Sequence, residues 1–70
     1  MLERQLLLAW IEQTVWYPEW VESDPRDPQV QRRFRAIVDR DNRILRVACV
    51  ETDDNIRIIS AFLDRRARQQ

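Results

Sequence analysis

The chain has 70 residues, 44 % of them apolar, and a formal net charge of zero, so it makes one small domain with no global field to attract nucleic acid or a membrane. It has no histidine, and Cys49 is its single cysteine, which excludes zinc sites, Ser-His-Asp triads and Cys-His pairs. The composition predicts a reduced cytoplasmic protein with no metal, no cofactor and no membrane segment.

The first predicted element is an amphipathic helix over residues 2–16, where apolar side chains recur at intervals of three and four. Tyr17 precedes Pro18, which keeps Tyr17 out of the α region and ends the helix. No capping residue precedes Leu2, so either the first turn frays or the domain begins further upstream.

Residues 18–28 hold all three prolines and are predicted to form a structured loop. Three strands follow at residues 31–39, 43–51 and 56–63, joined by turns at Asp41-Asn42 and Asp53-Asp54. Because the chain has no glycine, aspartate and asparagine are the residues that best tolerate the positive φ of tight hairpins. The predicted fold is α+β, with the N-terminal helix packed on a three-stranded antiparallel meander and a basic tail at residues 64–70.

Two-residue turns at both sites would fix the register of the meander. Phe34 would pair with Cys49, and Cys49 with Ile58. One face would then be an apolar core, formed by Phe34, Ala36, Val38, Leu45, Val47, Cys49, Ile58, Ser60 and Phe62. The other face would carry four arginines among aliphatic side chains, namely Arg33, Arg35, Arg46 and Arg57 beside Ile37, Ala48, Val50 and Ile59.

These arginines are the candidate binding residues, because every basic side chain in the chain is arginine, whose planar fork suits phosphate and carboxylate groups. Residues 1–30 carry a net charge of −4 and residues 31–70 a net charge of +4. Arg46 and Arg57 either contact phosphate or remain solvated or ion-paired strand residues. Arg65 and Arg66 in the tail either follow a phosphate backbone or belong to a frayed end.

Three aromatic residues lie around the end of the predicted helix, at Trp16, Tyr17 and Trp20. They either stack on nucleic-acid bases or seal the helix end against the sheet.

Much of the second half resembles the BrnT-type toxins of the RelE/ParE group of small bacterial toxins. The matching segments are Arg33-Phe34-Arg35-Ala36-Ile37, Asn42-Arg43-Ile44-Leu45-Arg46-Val47 and Arg57-Ile58-Ile59-Ser60-Ala61. The chain looks closer still to a related bacterial family of unknown function, which shares Thr14-Val15-Trp16-Tyr17-Pro18-Glu19 and the closing Asp64-Arg65-Arg66. Members of that family have a histidine-bearing segment before the helix, which we expect upstream of Met1.

The resemblance implies a RelE-like fold, a target in RNA or on the ribosome, and an antitoxin partner that covers the basic face. It also implies metal-independent RNA cleavage. In that case Arg46 and Arg57 would hold the scissile phosphate, and Glu51, at a strand end, would be the candidate base.

An alternative function is a non-enzymatic interaction module that self-associates as a homodimer. Arginine interleaved with isoleucine and valine suits a protein interface better than a bare phosphate track.

Overall fold

The structure, a computed structural model, describes residues 6–67. It contains one helix, α1 (Leu8–Trp16), and four strands, β1 (Trp20–Ser23), β2 (Gln31–Ile37), β3 (Arg43–Glu51) and β4 (Ile56–Leu63). The strands form one antiparallel sheet in the order β1-β2-β3-β4. The predicted α+β class and antiparallel meander are confirmed, whereas the predicted count of three strands is wrong.

The helix ends at Trp16 as predicted but begins later than residue 2. Leu7 has an extended backbone (φ −78°, ψ 139°) and gives α1 no side-chain cap, so the helix starts only at Leu8. Residues 2–5 of the predicted helix and residues 68–70 of the predicted tail lie outside the described residues.

The additional strand, β1, lies within the predicted proline-rich loop. Its backbone pairs with β2 from Trp20↔Phe34 to Ser23↔Gln31. Pro18 and Pro25 lie outside this short pairing, where a missing N–H costs no ladder bond. β1 therefore fits between these two prolines, within the segment predicted to be a loop.

The predicted register between β2 and β3 is wrong by three residues. Phe34 pairs with Arg46 and not with Cys49, because the connection is longer than two residues. Val38–Arg40 form a 3-10 turn, after which Asp41 and Asn42 both take the left-handed conformation (φ 55° and 61°). Because side chains alternate between faces, an odd shift moves every β2 side chain to the opposite face from the one predicted.

The second turn is confirmed, since Glu51 pairs with Ile56 around Asp53-Asp54. The predicted pair Cys49↔Ile58 is also present. An irregularity in the ladder between Ala48 and Cys49 then shifts the pairing by one residue. Val47 therefore pairs with Ala61, whereas a regular ladder from Cys49↔Ile58 would pair it with Ser60.

The core lies between α1 and one face of the sheet. Ile11 and Val15 from the helix pack against four buried strand residues, Ile37, Leu45, Val47 and Ala61. We call this side of the sheet the helix face.

No helix within residues 6–67 has the length and apolar character that a membrane crossing needs.

Candidate functional site

The opposite side of the sheet, which α1 does not cover, is called the open face. Its central feature is a row of side chains that runs straight across the four strands, because the register aligns one residue from each. Residues opposite one another on neighbouring strands share a face, and their side chains touch. The row consists of Trp20, Phe34, Arg46 and Phe62.

The first half of the row is an aromatic stack. The rings of Trp20 and Phe34 lie parallel, with centroids 4.7 Å apart and an angle of 4° between their planes. Phe34 is only 3 % exposed as a result. The indole nitrogen of Trp20 donates to a carboxylate oxygen of Glu22 at 3.0 Å, which fixes the plane of the indole. The stack therefore presents a held, half-buried indole on the open face.

The second half of the row is built around Arg46. Its guanidinium lies over the ring of Phe62, 4.8 Å from the centroid, a cation–π geometry. One terminal nitrogen, Nη1, donates to Asp64 at 3.1 Å. Asp64 is positioned by its own turn, because its other oxygen accepts from the backbone N–H of Arg66 at 2.9 Å.

Arg32 lies beside the row and is held in a similar way. Its terminal nitrogen Nη2 donates to Asp24 at 3.3 Å. Hydrogen bonding from the backbone N–H of Arg26, together with the charge of Arg32, lowers the pKa of Asp24, although desolvation opposes this. Asp24 therefore stays ionised over a wider acid range than an ordinary aspartate.

A cavity of about 350 Å³ opens next to the row, between the strands and the segment after β4. Three of its lining side chains are arginines and two are carboxylates; the lining residues are Glu22, Arg32, Phe34, Arg46, Asp64, Arg66 and Ala67.

The structure separates the four arginines predicted to share one face. Arg46 and Arg57 lie on the open face, Arg57 being exposed and paired with Val50. Arg33 and Arg35 lie on the helix face, because the register of β2 differs from the predicted one. Arg65 and Arg66 are both exposed just after β4.

Arg33 and Arg35 instead hold the end of α1 to the sheet. Arg33 donates to the carbonyl oxygen of Val15 at 2.7 Å, and Arg35 to that of Tyr17 at 2.8 Å. Cationic groups at a helix C-terminus satisfy its free carbonyls and complement its dipole.

Glu51, the predicted catalytic base, lies on the helix face, where it pairs with Arg33 at 3.3 Å. It is on the opposite side of the sheet from Arg46 and Arg57, so the three residues do not form one acid–base site.

Trp16 and Tyr17 do not seal the helix end, since they are 64 % and 70 % exposed. Only Trp20 of the three aromatic residues joins the row.

Cys49 is a free, fully buried cysteine, and burial raises the pKa of its thiol. A buried thiol of this kind is typically unreactive. Within residues 6–67, no group of three or more histidine, cysteine, aspartate or glutamate side chains is placed to bind a metal ion.

Sequence reasoning missed several residues of this site. Phe34 and Phe62 were placed in the core, and Trp20 was placed in a loop. The missed carboxylates are Asp24 and Asp64. The signal for β1 was the alternation of Trp20 and Glu22 with Val21 and Ser23, which is short and lies between prolines.

The fold and the site define a small α+β domain whose sheet is covered by one helix on one face and bears arginine and aromatic side chains on the other. The chain belongs to the family described as Domain of unknown function (DUF4258), whose family model matches residues 1–63. The predicted membership of a family of unknown function is thereby confirmed, and nothing found links the chain to BrnT-type or RelE/ParE toxins. The searches of curated proteins and of solved structures found no match to the chain.

Proposed function

We propose that this protein binds single-stranded RNA through the open face. The observation that carries the proposal is the cross-strand row of Trp20, Phe34, Arg46 and Phe62 on the side of the sheet that α1 leaves uncovered. A sheet that bears aromatic side chains is a recurrent platform for unpaired bases.

The row has the dimensions of a short oligonucleotide. Neighbouring strands lie about 4.8 Å apart, so a row across four strands spans roughly 14 Å. Two or three bases stack on platforms of this kind. Trp20 offers one stacking surface, and the Arg46 guanidinium, supported by Phe62 beneath it, offers the other.

The remaining arginines of this side supply the charge that a phosphate backbone requires. Arg57 and Arg66 are exposed, and Arg32 lies beside the row. Because the whole chain is neutral, the attraction for RNA would be local to this face and would not come from a global field.

The resemblance to BrnT-type toxins supports RNA as the ligand, and it supports an antitoxin as a second partner that covers the same face. Under this proposal the protein acts in the cytoplasm, where it would meet its RNA ligand. If the protein is a toxin, its induced expression in a bacterial host should arrest growth, and Arg46→Ala should relieve the arrest. Normal growth at full expression of the wild-type protein would rule the toxin role out.

We propose binding and not cleavage. The one carboxylate predicted to act as a base, Glu51, lies on the helix face and is paired with Arg33. A gel time course of the RNA incubated with the protein tests this point, and we expect the RNA to remain intact.

Binding is tested by fluorescence anisotropy with a labelled octauridylate. Arg46→Ala should weaken binding by about 1–3 kcal/mol, the usual effect of removing one base-stacking contact. Phe62→Ala should weaken it by a similar amount, because it removes the ring that supports the Arg46 guanidinium. If four phosphates are neutralised, the slope of log K against log salt should be near roughly −3.

Two matched variants control for lost aromatic area and lost charge away from the open face. Trp16→Ala removes an exposed indole from α1, and Arg43→Ala removes an exposed guanidinium that shares a face with Leu45. Both should bind RNA within about 0.5 kcal/mol of the wild type. Equal losses in all four variants, or a flat response to salt, would overturn the proposal.

A second candidate function, self-association, is favoured by the edge of the sheet. β4 is an edge strand of eight residues, and two isoleucines on it are well exposed, Ile58 at 37 % and Ile59 at 46 %. Exposed apolar edge strands pair readily with a second chain. Light scattering at micromolar concentration separates the candidates, because a strict monomer excludes this function and leaves RNA binding intact.

A further inference from the structure

The cavity beside the row carries an inference that rests on the proposed function and deepens it. Its lining combines Arg32, Arg46 and Arg66 with Glu22 and Asp64, a net charge of +1. Its volume of about 350 Å³ has room for on the order of ten water molecules at ~30 Å³ each, enough for a phosphate group and part of its ester.

Two of the arginines that line the cavity, Arg32 and Arg46, have only some of their hydrogen-bond donors paired. Arg46 meets Asp64 at 3.1 Å and Arg32 meets Asp24 at 3.3 Å, in each case through a single terminal nitrogen. Good charge-assisted hydrogen bonds are shorter, about 2.7–2.9 Å, and guanidinium–carboxylate pairs are frequently bidentate. The Nε atoms of both arginines are buried and find no hydrogen-bond partner among the described residues.

Both arginines line the same cavity, and each has a second terminal nitrogen that its carboxylate partner does not engage. These N–H donors favour a ligand rich in oxygen atoms. A carboxylate supplies two oxygens, and a phosphate group supplies more. Glu22 is already engaged by the indole of Trp20, so it is not the group that competes for Arg46.

Asp64 is the carboxylate that an incoming anion would have to displace from Arg46. It follows the last residue of β4, and the backbone N–H of Arg66 holds its side chain in place. Because the lining is nearly neutral while Asp64 occupies the cavity, an anion gains most when it takes the place of this carboxylate.

We propose that the cavity is the phosphate subsite of the open face, and that a phosphate oxygen replaces the Asp64 carboxylate on Arg46. Asp64 thus limits the affinity of the free protein for phosphate. The phosphate is either an internal diester or a terminal monoester of the RNA.

The experiment follows the arginine Nε–H resonances by NMR during titrations with inorganic phosphate, with octauridylate bearing a 5′-hydroxyl, and with octauridylate bearing a 5′-phosphate. We expect the Arg32 and Arg46 resonances to move in each titration. A larger effect of the 5′-phosphorylated RNA assigns a terminal monoester to the site, and equal effects assign an internal diester.

The decisive variant is Asp64→Asn, with Asp54→Asn as its control. Both lose one negative charge, but Asp54 lies exposed in the β3–β4 turn, away from the cavity. Asp64→Asn should bind inorganic phosphate about tenfold more tightly, the size expected when one charge-assisted hydrogen bond is freed for the ligand. Asp54→Asn should bind as the wild type does. Thermal melts establish that both variants are folded.

Phosphate binding by Asp64→Asn that equals that of Asp54→Asn, or is weaker, overturns the inference, as do unmoved Arg32 and Arg46 resonances in the wild-type protein. If RNA binds the open face while these resonances stay fixed, the subsite fails and the proposed function stands. If inorganic phosphate moves them but neither RNA binds, the subsite stands and the proposed function fails.

Discussion

Arg33 and Arg35 make the same contact in different surroundings. Each donates to a carbonyl oxygen near the end of α1, at 2.7 Å and 2.8 Å respectively. Arg33 is 8 % exposed, and its hydrogen bond is buried, whereas the bond of Arg35 lies in solvent. Water can replace the donor at Tyr17 but not at Val15, so burial decides how much each arginine contributes to stability.

Arg33→Met should therefore lower the free energy of unfolding by about 1–3 kcal/mol, because it leaves the Val15 carbonyl without its buried donor. Arg35→Met, the matched control, should lower it by less than about 1 kcal/mol. Urea denaturation of both variants measures the difference. Equal losses would show that the buried contact does not hold the helix end.

At the scale of the element, the connection between β2 and β3 decides which side chains meet on each face. Asp41 and Asn42 have φ of 55° and 61°, the only positive values among the described residues. Asparagine and aspartate enter this region more easily than other residues with a Cβ, and β-branched residues scarcely enter it.

Asn42→Val should destabilise the protein by about 1–2 kcal/mol, the cost of the left-handed conformation for a side chain that resists it. Asp53→Val, in the β3–β4 turn where φ is not positive, should stay within about 0.5 kcal/mol of the wild type. The midpoints of urea unfolding compare the two. A loss at Asp53 as large as that at Asn42 would contradict the assigned turn conformations.

This connection also explains how much of the fold could be predicted. Composition and turn residues located three strands well: the bounds 43–51 and 56–63 agree with β3 and β4, and 31–39 runs only two residues past β2. Register could not be predicted, because the 3-10 turn at Val38–Arg40 has no sequence signal that separates it from two more strand residues. Because this turn was not predicted, the side chains of β2 were assigned to the opposite faces of the sheet.

The candidate site was predictable only in part, for the same reason. Arg46 and Arg57 were correctly placed together, away from the core, because the strands that carry them meet at a turn that was predicted correctly. Phe34 was assigned to the core because the β2 register was wrong, and Phe62 because the ladder between β3 and β4 is irregular. Trp20 was not predicted because it lies on β1, which forms a strand only through its tertiary pairing with β2.

At the scale of the whole molecule, the helix face of the sheet forms the core and the open face presents the candidate binding residues. The helix face buries Leu45 and Val47 completely and uses Arg33 to anchor α1. The open face keeps Trp20 and Arg46 within reach of a ligand. Substitutions on the helix face should therefore alter stability first, and those on the open face should alter binding first.

The three tryptophans offer a direct test of the central claim, that single-stranded RNA binds the open face. Trp20 belongs to the row, Trp16 is exposed on α1, and Trp10 packs against the core on the helix side. Each indole N–H gives its own NMR signal, so one titration with octauridylate reports on all three places. We predict that the Trp20 signal shifts in a saturable manner while the signals of Trp10 and Trp16 stay in place. A shift of Trp16 without Trp20, or no shift at saturating RNA, would contradict RNA binding at this face.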